Sequence, residues 1–209
     1  ESGIHEMAKN PFEEYSGKTI RNIRFVEVDI LDGSVHDTLK YATSGFAKFL
    51  NKTHIHTHQW ILKKFMLVKP GDEIIPAILA DNERIIREIP AIEDVEILVI
   101  PDSITNNVAD LIIITKDIFP IGATASVSSF DQFSASLWDN NSLGLAYELG
   151  GRLLYDSYFR NPWGYEIYTK YRNILSSFID GSILWIDAFD SRWLTFRFSR
   201  NFMTPQTKW

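Results

Sequence analysis

Cysteine is absent from the 209 residues, which removes disulfides, thiolate metal sites and cysteine nucleophiles together. No uninterrupted apolar run of the length a membrane helix needs occurs, and no basic segment precedes an apolar stretch as in a secretory signal. An excess of basic charge is lacking as well: the formal net charge of -6 offers no general field for nucleic acid. No phosphate loop is present, nor any Ser/His/Asp array of informative spacing. The lack of a membrane helix leaves a membrane β-barrel open, since barrel strands alternate and give only a weak hydropathy signal.

The chain is long enough for one large domain or two modest ones. Hydrophobic residues at 45% and charged residues at 23% argue against wholesale disorder. Its character changes near residue 120. Residues 1–120 hold 19 acidic and 13 basic side chains with 9 aromatics, whereas residues 121–209 hold 8 of each sign with 19 aromatics. The stretch "DIFPIG", 117–122, marks the joint, because Pro120 and Gly122 interrupt regular pairing.

In the first region "GKTIRNIRFVEVDIL", 17–31, reads as a strand on Ile20, Ile23, Phe25 and Val28. Residues 34–50 read as an amphipathic helix weakened by Gly45. Thr57 reads as an N-cap for a helix carrying Ile61 and Phe65. Pro76 starts a second helix with Ile75, Leu79, Ile85 and Ile86 inward, its outer face paired as Glu83 with Arg87 and Arg84 with Glu88. "VEILVI", 95–100, and "VADLIIIT", 108–115, are strands. Strand, helices, strand, strand builds a two-layer α+β domain.

"HIHTH", 54–58, places His54, His56 and His58 on alternate positions, where a strand presents three imidazoles on one face as zinc ligands. Asp72 or Glu73 then stands as a carboxylate base. A helix starting at Thr57 breaks that alignment, and the stretch reads better as a loop-to-helix junction.

The second region alternates more cleanly. Tyr165, Ile167, Thr169 and Tyr171 take one face, and Leu194, Phe196 and Phe198 do so later. "SLGLAYELG", 142–150, reads as a third such strand on Leu143, Leu145, Tyr147 and Leu149. An apolar face against a polar or small one suits lipid outside and a lumen inside, with Tyr155, Tyr158, Trp163, Trp185 and Trp209 as interface anchors. Lys170, Arg172 and Arg197 then face the lumen and pair with Glu148 or Glu166. About five or six strands fit the segment, whereas membrane barrels need at least about eight.

These stretches resemble a known family, the outer-membrane protein assembly and two-partner-secretion transporters, including bacterial surface-antigen members. The pieces that carry it are "YSGKTIRNIRF" (15–25), "HTHQWILKKFMLVKPGDEI" (56–74), "LADNERIIREIPAIEDVEILVIP" (79–101) and "VADLIIITKD" (108–117), which look like one polypeptide-transport-associated (POTRA) domain. "SLWDNNSLGLAYELGGRLLYD" (136–156) and "RFSRNFMTPQTKW" (197–209) are similar to early strands of the family barrel. The resemblance implies an N-terminal extension over 1–14, an α+β POTRA-like periplasmic domain over 15–118, and a partial outer-membrane β-barrel over 119–209.

It further implies a non-enzymatic protein without cofactor or metal, lodged in the bacterial outer membrane. Its partners are unfolded or partly folded polypeptide, outer-membrane lipid and accessory assembly proteins. Polypeptide is expected to add as a strand to a sheet edge at Ile20, Ile23 and Phe25 or at Val95, Ile97 and Val99. Only one POTRA-like unit is visible, and the family's later barrel strands and arginine motif have no match. The rival readings are a soluble two-domain interaction protein with an aromatic β-sandwich, which encloses Leu194, Phe196 and Phe198 under a second sheet, and a zinc-dependent hydrolase.

Overall fold

A computed structural model describes residues 10–28, 56–105 and 107–200. The helix expected over 34–50 and the anchor Trp209 lie outside the described residues. Two sheets are formed. The first contains β1 (Thr19–Val28), β2 (Ile92–Pro101) and β3 (Val108–Asp117) in the order β1-β3-β2, accompanied by α1 (Gln59–Lys64) and α2 (Pro76–Arg87). β3 runs parallel to β1 and antiparallel to β2. Its central place fits its sequence, "VADLIIITKD", in which five consecutive residues from Leu111 to Thr115 are apolar or β-branched.

The core lies between this sheet and the helices. Ile20, Val95, Ile97, Val99, Leu111 and Ile113 come from the strands, and Ile61, Leu62, Leu79, Ile85 and Ile86 from the helices. Asn82 is fully buried in the middle of α2. Its amide accepts from the Leu67 N–H at 2.8 Å and donates to the Phe65 carbonyl at 3.1 Å. It thereby supplies partners to the backbone where α1 ends, groups that would otherwise be buried unpaired.

Three local expectations are corrected. Thr57 is no N-cap: His58 holds that position without a side-chain cap bond, and Thr57 is buried because its polar groups are spent elsewhere, as described below. Ile75 precedes α2 as its extended N-cap residue and is 43% exposed, since helical periodicity begins only at Pro76. Residues 142–147 form a tight turn and not a strand; β6 begins at Glu148. The outer-face pairs of α2 form as expected, Arg84 with Glu88 and Arg87 with Glu83, each at 2.8 Å.

After the three-residue link 118–120, six strands follow as an antiparallel meander in sequence order: β4 (Ile121–Ser129), β5 (Gln132–Asp139), β6 (Glu148–Asp156), β7 (Trp163–Tyr171), β8 (Ile179–Ala188) and β9 (Ser191–Arg200). The sheet is open, and among the described residues no second sheet covers either face. β8 and β9 join through Phe189 and Asp190, both at positive φ, the type I′ geometry that matches strand twist. Stacking of Phe189 on Phe159, 4.5 Å between centroids, helps hold this conformation, which a bulky residue rarely adopts.

Candidate functional site

Three features of the fold have chemical or binding capacity: a strand edge left open among the described residues, the two unlike faces of the large sheet, and the joint between the sheets.

The edge is that of β2. Asp102, continuing the strand, donates its N–H to Val108 of β3, so from Asp94 on, past the bulge, even-numbered residues of β2 point their backbone groups at β3 and odd-numbered ones point outward. Val95 confirms the phase: its carbonyl accepts from Arg87 at 2.8 Å and its N–H donates to the Asp94 carboxylate at 2.8 Å. At the other end Pro101 has no N–H to offer, a residue suited to an edge. Between these stops, Ile97 and Val99 present outward N–H and C=O groups that no described residue takes up. Their side chains, with that of Val95, are buried in the core, so any ligand here meets backbone first.

The β1 edge differs. The Ile20 N–H donates to Asp72 at 2.9 Å and its carbonyl accepts from Gly71 at 2.8 Å, so this part of the edge is already occupied by the 69–74 turn. Ile23 and Phe25 are half-buried against the core. A bulge between Ile20 and Ile23 brings Arg21 and Asn22 together over Asp110 of β3. Arg21 grips that carboxylate with two bonds of 2.9 and 2.8 Å, Asn22 adds one at 3.2 Å, and Arg24 stands at 3.5 Å. Hydrogen bonding from Arg21 in particular holds the Asp110 carboxyl down at about 2. Asp102 is lowered too, first by the Ile104 N–H and then by the Thr105 hydroxyl. Nearer the joint, burial raises the Glu27 carboxyl, an effect opposed by His56 and His58.

The register of the six strands sorts their side chains into two faces. Leu137, Gly151, Ile167 and Trp185 stand in one row across β5 to β8, and Leu194 of β9 extends it. Phe133, Tyr155 and Trp163 pack in a parallel row nearer the far hairpins, with centroids 4.9 to 5.7 Å apart, Phe133 stacked on Tyr155 and Trp163 edge-on to both. Leu194, Phe196 and Phe198 share this apolar face and are 59 to 70% exposed. The arrangement is the reverse of the enclosed sandwich.

The opposite face carries most of the charges, set among a few apolar side chains such as Leu184 and Ile186. Glu148 pairs with Lys170 at 3.0 Å, and Glu166 with Arg152 at 3.5 Å; Arg197 stands beside Ser182. Arg152 is absent from the residues expected from the sequence, though its place four residues after Glu148 on an alternating strand was a signal for this face. Arg172 lies past the end of β7, and its guanidinium donates to the Glu88 carbonyl at 3.4 Å, because the chain has already turned toward α2. Trp138 and Tyr168 lay their rings over Gly122 and Gly150, where a Cβ would collide with them. These glycines therefore set how flat the polar wall lies.

The joint is built by two turns of like form, differing at the leading asparagine, which has positive φ only in the second. In "NSLGLA", 141–146, the Asn141 side-chain oxygen accepts from the Ala146 N–H at 2.9 Å, and its NH₂ donates to the Thr57 hydroxyl at 3.0 Å. In "NILSSF", 173–178, Asn173 accepts from the Phe178 N–H at 2.8 Å, and its NH₂ donates to the Lys64 carbonyl at 2.7 Å. Both turns have positive φ at the second, third and fifth residues after the asparagine. They thus seize α1 at both ends. Thr57 also donates its N–H to Asp117, the last residue of β3, and His58 donates to Gly144 at 2.9 Å. Leu145, Ala146 and Phe178 pack into the core of the first unit.

Of the histidines, His54 lies outside the described residues. His58 is exposed and stacks on Trp60 at 6.4 Å. Among the described residues no three His, Cys, Asp or Glu side chains converge as metal ligands.

No protein-family model matches the sequence, and no curated protein does. Among solved structures the chain is similar to BamA from Haemophilus ducreyi lacking POTRA domains 1–3, with a TM-score of 0.54 and 15% identity over 81% of this chain. A looser likeness is to CdiB from Acinetobacter baumannii, with a TM-score of 0.45 and 11% identity over 81% of the chain; at that score it defines no shared fold. The chain spans 28% of the length of the BamA structure. The likeness to BamA is one of fold, over that part of the chain.

Proposed function

We propose that the chain comprises a periplasmic POTRA-type domain over 15–118 and the first strands of an outer-membrane β-barrel over 119–209, and acts without covalent catalysis in outer-membrane protein assembly or polypeptide translocation. The observation that carries this reading is the six-stranded sheet, whose exposed apolar face, rows of aromatics and paired charges on the reverse match a lipid-facing wall and a lumen. The likeness to part of BamA supports it. Glu148, Glu166, Lys170 and Arg197, joined by Arg152, line the lumen in this reading. Arg172 belongs to the joint. The wide exposure of Leu194, Phe196 and Phe198 speaks against the β-sandwich.

Unfolded polypeptide is the proposed partner, added as a strand along β2 at Ile97 and Val99, where main-chain bonding makes little demand on sequence. A photo-crosslinker replacing exposed Ile100 beside that edge is expected to capture an unfolded outer-membrane polypeptide offered to the membrane-reconstituted chain. One replacing Lys69, in the turn that occupies the β1 edge, is not. Equal capture at both positions, or none at Ile100, overturns the assignment of the edge.

A further inference from the structure

Helix α1 turns two residues into the core and one large aromatic out of it. Ile61 and Leu62 are buried, whereas Trp60 is 50% exposed. Lys64, one turn on, places its Nζ 4.3 Å from the centroid of the Trp60 ring. The same ammonium donates to the Tyr171 hydroxyl at 3.2 Å. Tyr171 faces Gly181, which in turn faces Phe198, so Tyr171 belongs to the apolar face of the large sheet at the end nearest α1. Its ring lies 6.5 Å from that of Tyr147. At the same end the two twin turns expose Leu143 and Leu175, equivalent residues that are 66% and 88% exposed.

The rim of the apolar face is therefore made by both units. Two tyrosines and two bare leucines come from the sheet and its turns, and a tryptophan with a lysine comes from α1. Tryptophan and tyrosine favour the boundary between hydrocarbon and headgroups, and lysine carries its charge out of an apolar layer on a flexible stem. An ammonium has three N–H donors, of which Tyr171 takes one. The core of the first unit gives no reason for a half-exposed tryptophan at this place, whereas continuity with the apolar face does.

We propose that α1 rests on the headgroup layer of the membrane, with Trp60 set among the headgroups and Lys64 binding the phosphate of an anionic phospholipid. The contact rests on the membrane reading given above and adds a second attachment to it: the α+β unit is held by lipid as well as by the twin turns.

The test uses the full chain in vesicles of phosphatidylethanolamine and phosphatidylglycerol, with a photo-crosslinking amino acid replacing Trp60, Leu153 on the apolar face, or Ile104. Ile104 is 90% exposed in the β2–β3 loop, at the opposite end of the small sheet. Lipid adducts are expected at positions 60 and 153 and not at 104. At position 60, phosphatidylglycerol should be favoured about fivefold after correction for composition, the effect of one lysine near an anionic surface, and Lys64→Gln should erase that preference. Adducts at 153 alone overturn the α1 contact and leave the membrane reading standing; adducts at neither overturn both. Adducts at 60 to a polypeptide or a second copy of the chain overturn the lipid contact, and equal capture of both lipids overturns the role of Lys64.

Discussion

The two sheets of this protein have strands with the same alternation and opposite fates. In β2, Val95, Ile97 and Val99 are 1 to 7% exposed; in β9, Leu194, Phe196 and Phe198 are 59 to 70% exposed. Each trio occupies alternate positions and so one face. The difference lies in what the chain lays over that face. The small sheet receives α1 and α2, which carry their own apolar stripe, while the large sheet receives no cover among the described residues. An apolar face that runs across six strands exceeds what a soluble monomer ordinarily shows to water, so the second sheet is suited to a different solvent. Most of its charges follow the same logic, collecting on the reverse face, where Glu148 meets Lys170; the Asp187–Arg192 pair stands at the hairpin end of the apolar face.

The contrast breaks most sharply under a misplaced charge. Leu153→Arg puts a guanidinium in the middle of the apolar face, and in a bilayer this is expected to cost about 2–4 kcal/mol. Ser126→Arg, on the polar face of the first strand, should change stability by no more than about 0.5 kcal/mol. Urea unfolding of the lipid-reconstituted chain measures both. Equal costs at the two positions would remove the distinction between the faces and return the sandwich to consideration.

Much of this contrast was legible in the sequence, and the parts that were not share a physical cause. Strand faces depend on a period of two, which neighbours do not disturb; hence Tyr165, Ile167, Thr169 and Tyr171 align as read. The β3 strand and the Pro76 start of α2 rest on local rules of the same kind. Thr57 misled because its hydroxyl is an equally good partner for a helix N-terminus and for Asn141, which lies 84 residues away. The 142–147 stretch misled because Leu143, Leu145 and Tyr147 mimic strand alternation, while positive φ at Leu143 and Ala146 runs against their side-chain preferences. That conformation is held by an asparagine bond, and only comparison of "NSLGLA" with "NILSSF" could have hinted at it. The edge of β2, open among the described residues, was illegible because hydrogen-bond phase follows from register with β3.

A smaller effect sharpens the comparison at the place where the two sheets meet. Asn141→Ala leaves the Ala146 N–H without its acceptor and the Thr57 hydroxyl without its donor. Asn173→Ala does the same to the Phe178 N–H and the Lys64 carbonyl. Each buried group left unpaired costs about 1–3 kcal/mol, a loss that falls on the joint and spares both sheets. Spin labels at Ile104 and Val127, one on each side of the joint, should give a narrow distance distribution in the parent chain and a broad one in the double variant. An unchanged distribution would mean that the two units keep their relation without the twin turns.

The smallest effect separates the two units by acid. Asp110 is 5% exposed, and the Arg21 bonds hold its carboxyl at about 2, below its ordinary 3.8. A carboxyl depressed by folding contributes stability that is complete above the ordinary value and is lost as the pH falls from there through the folded value. The unit containing β1 and β3 should therefore weaken as the pH drops from 3.8 toward about 2. Asp110→Asn should be less stable than the parent at neutral pH and should lose less over that interval, because it has no proton to gain at this site. Amide exchange of β3, followed by mass spectrometry across the interval, reads the small sheet separately from the large one. If β3 in the parent and in Asp110→Asn responds to acid with the same slope, the Arg21–Asp110 pair does not tie the β1 bulge to β3.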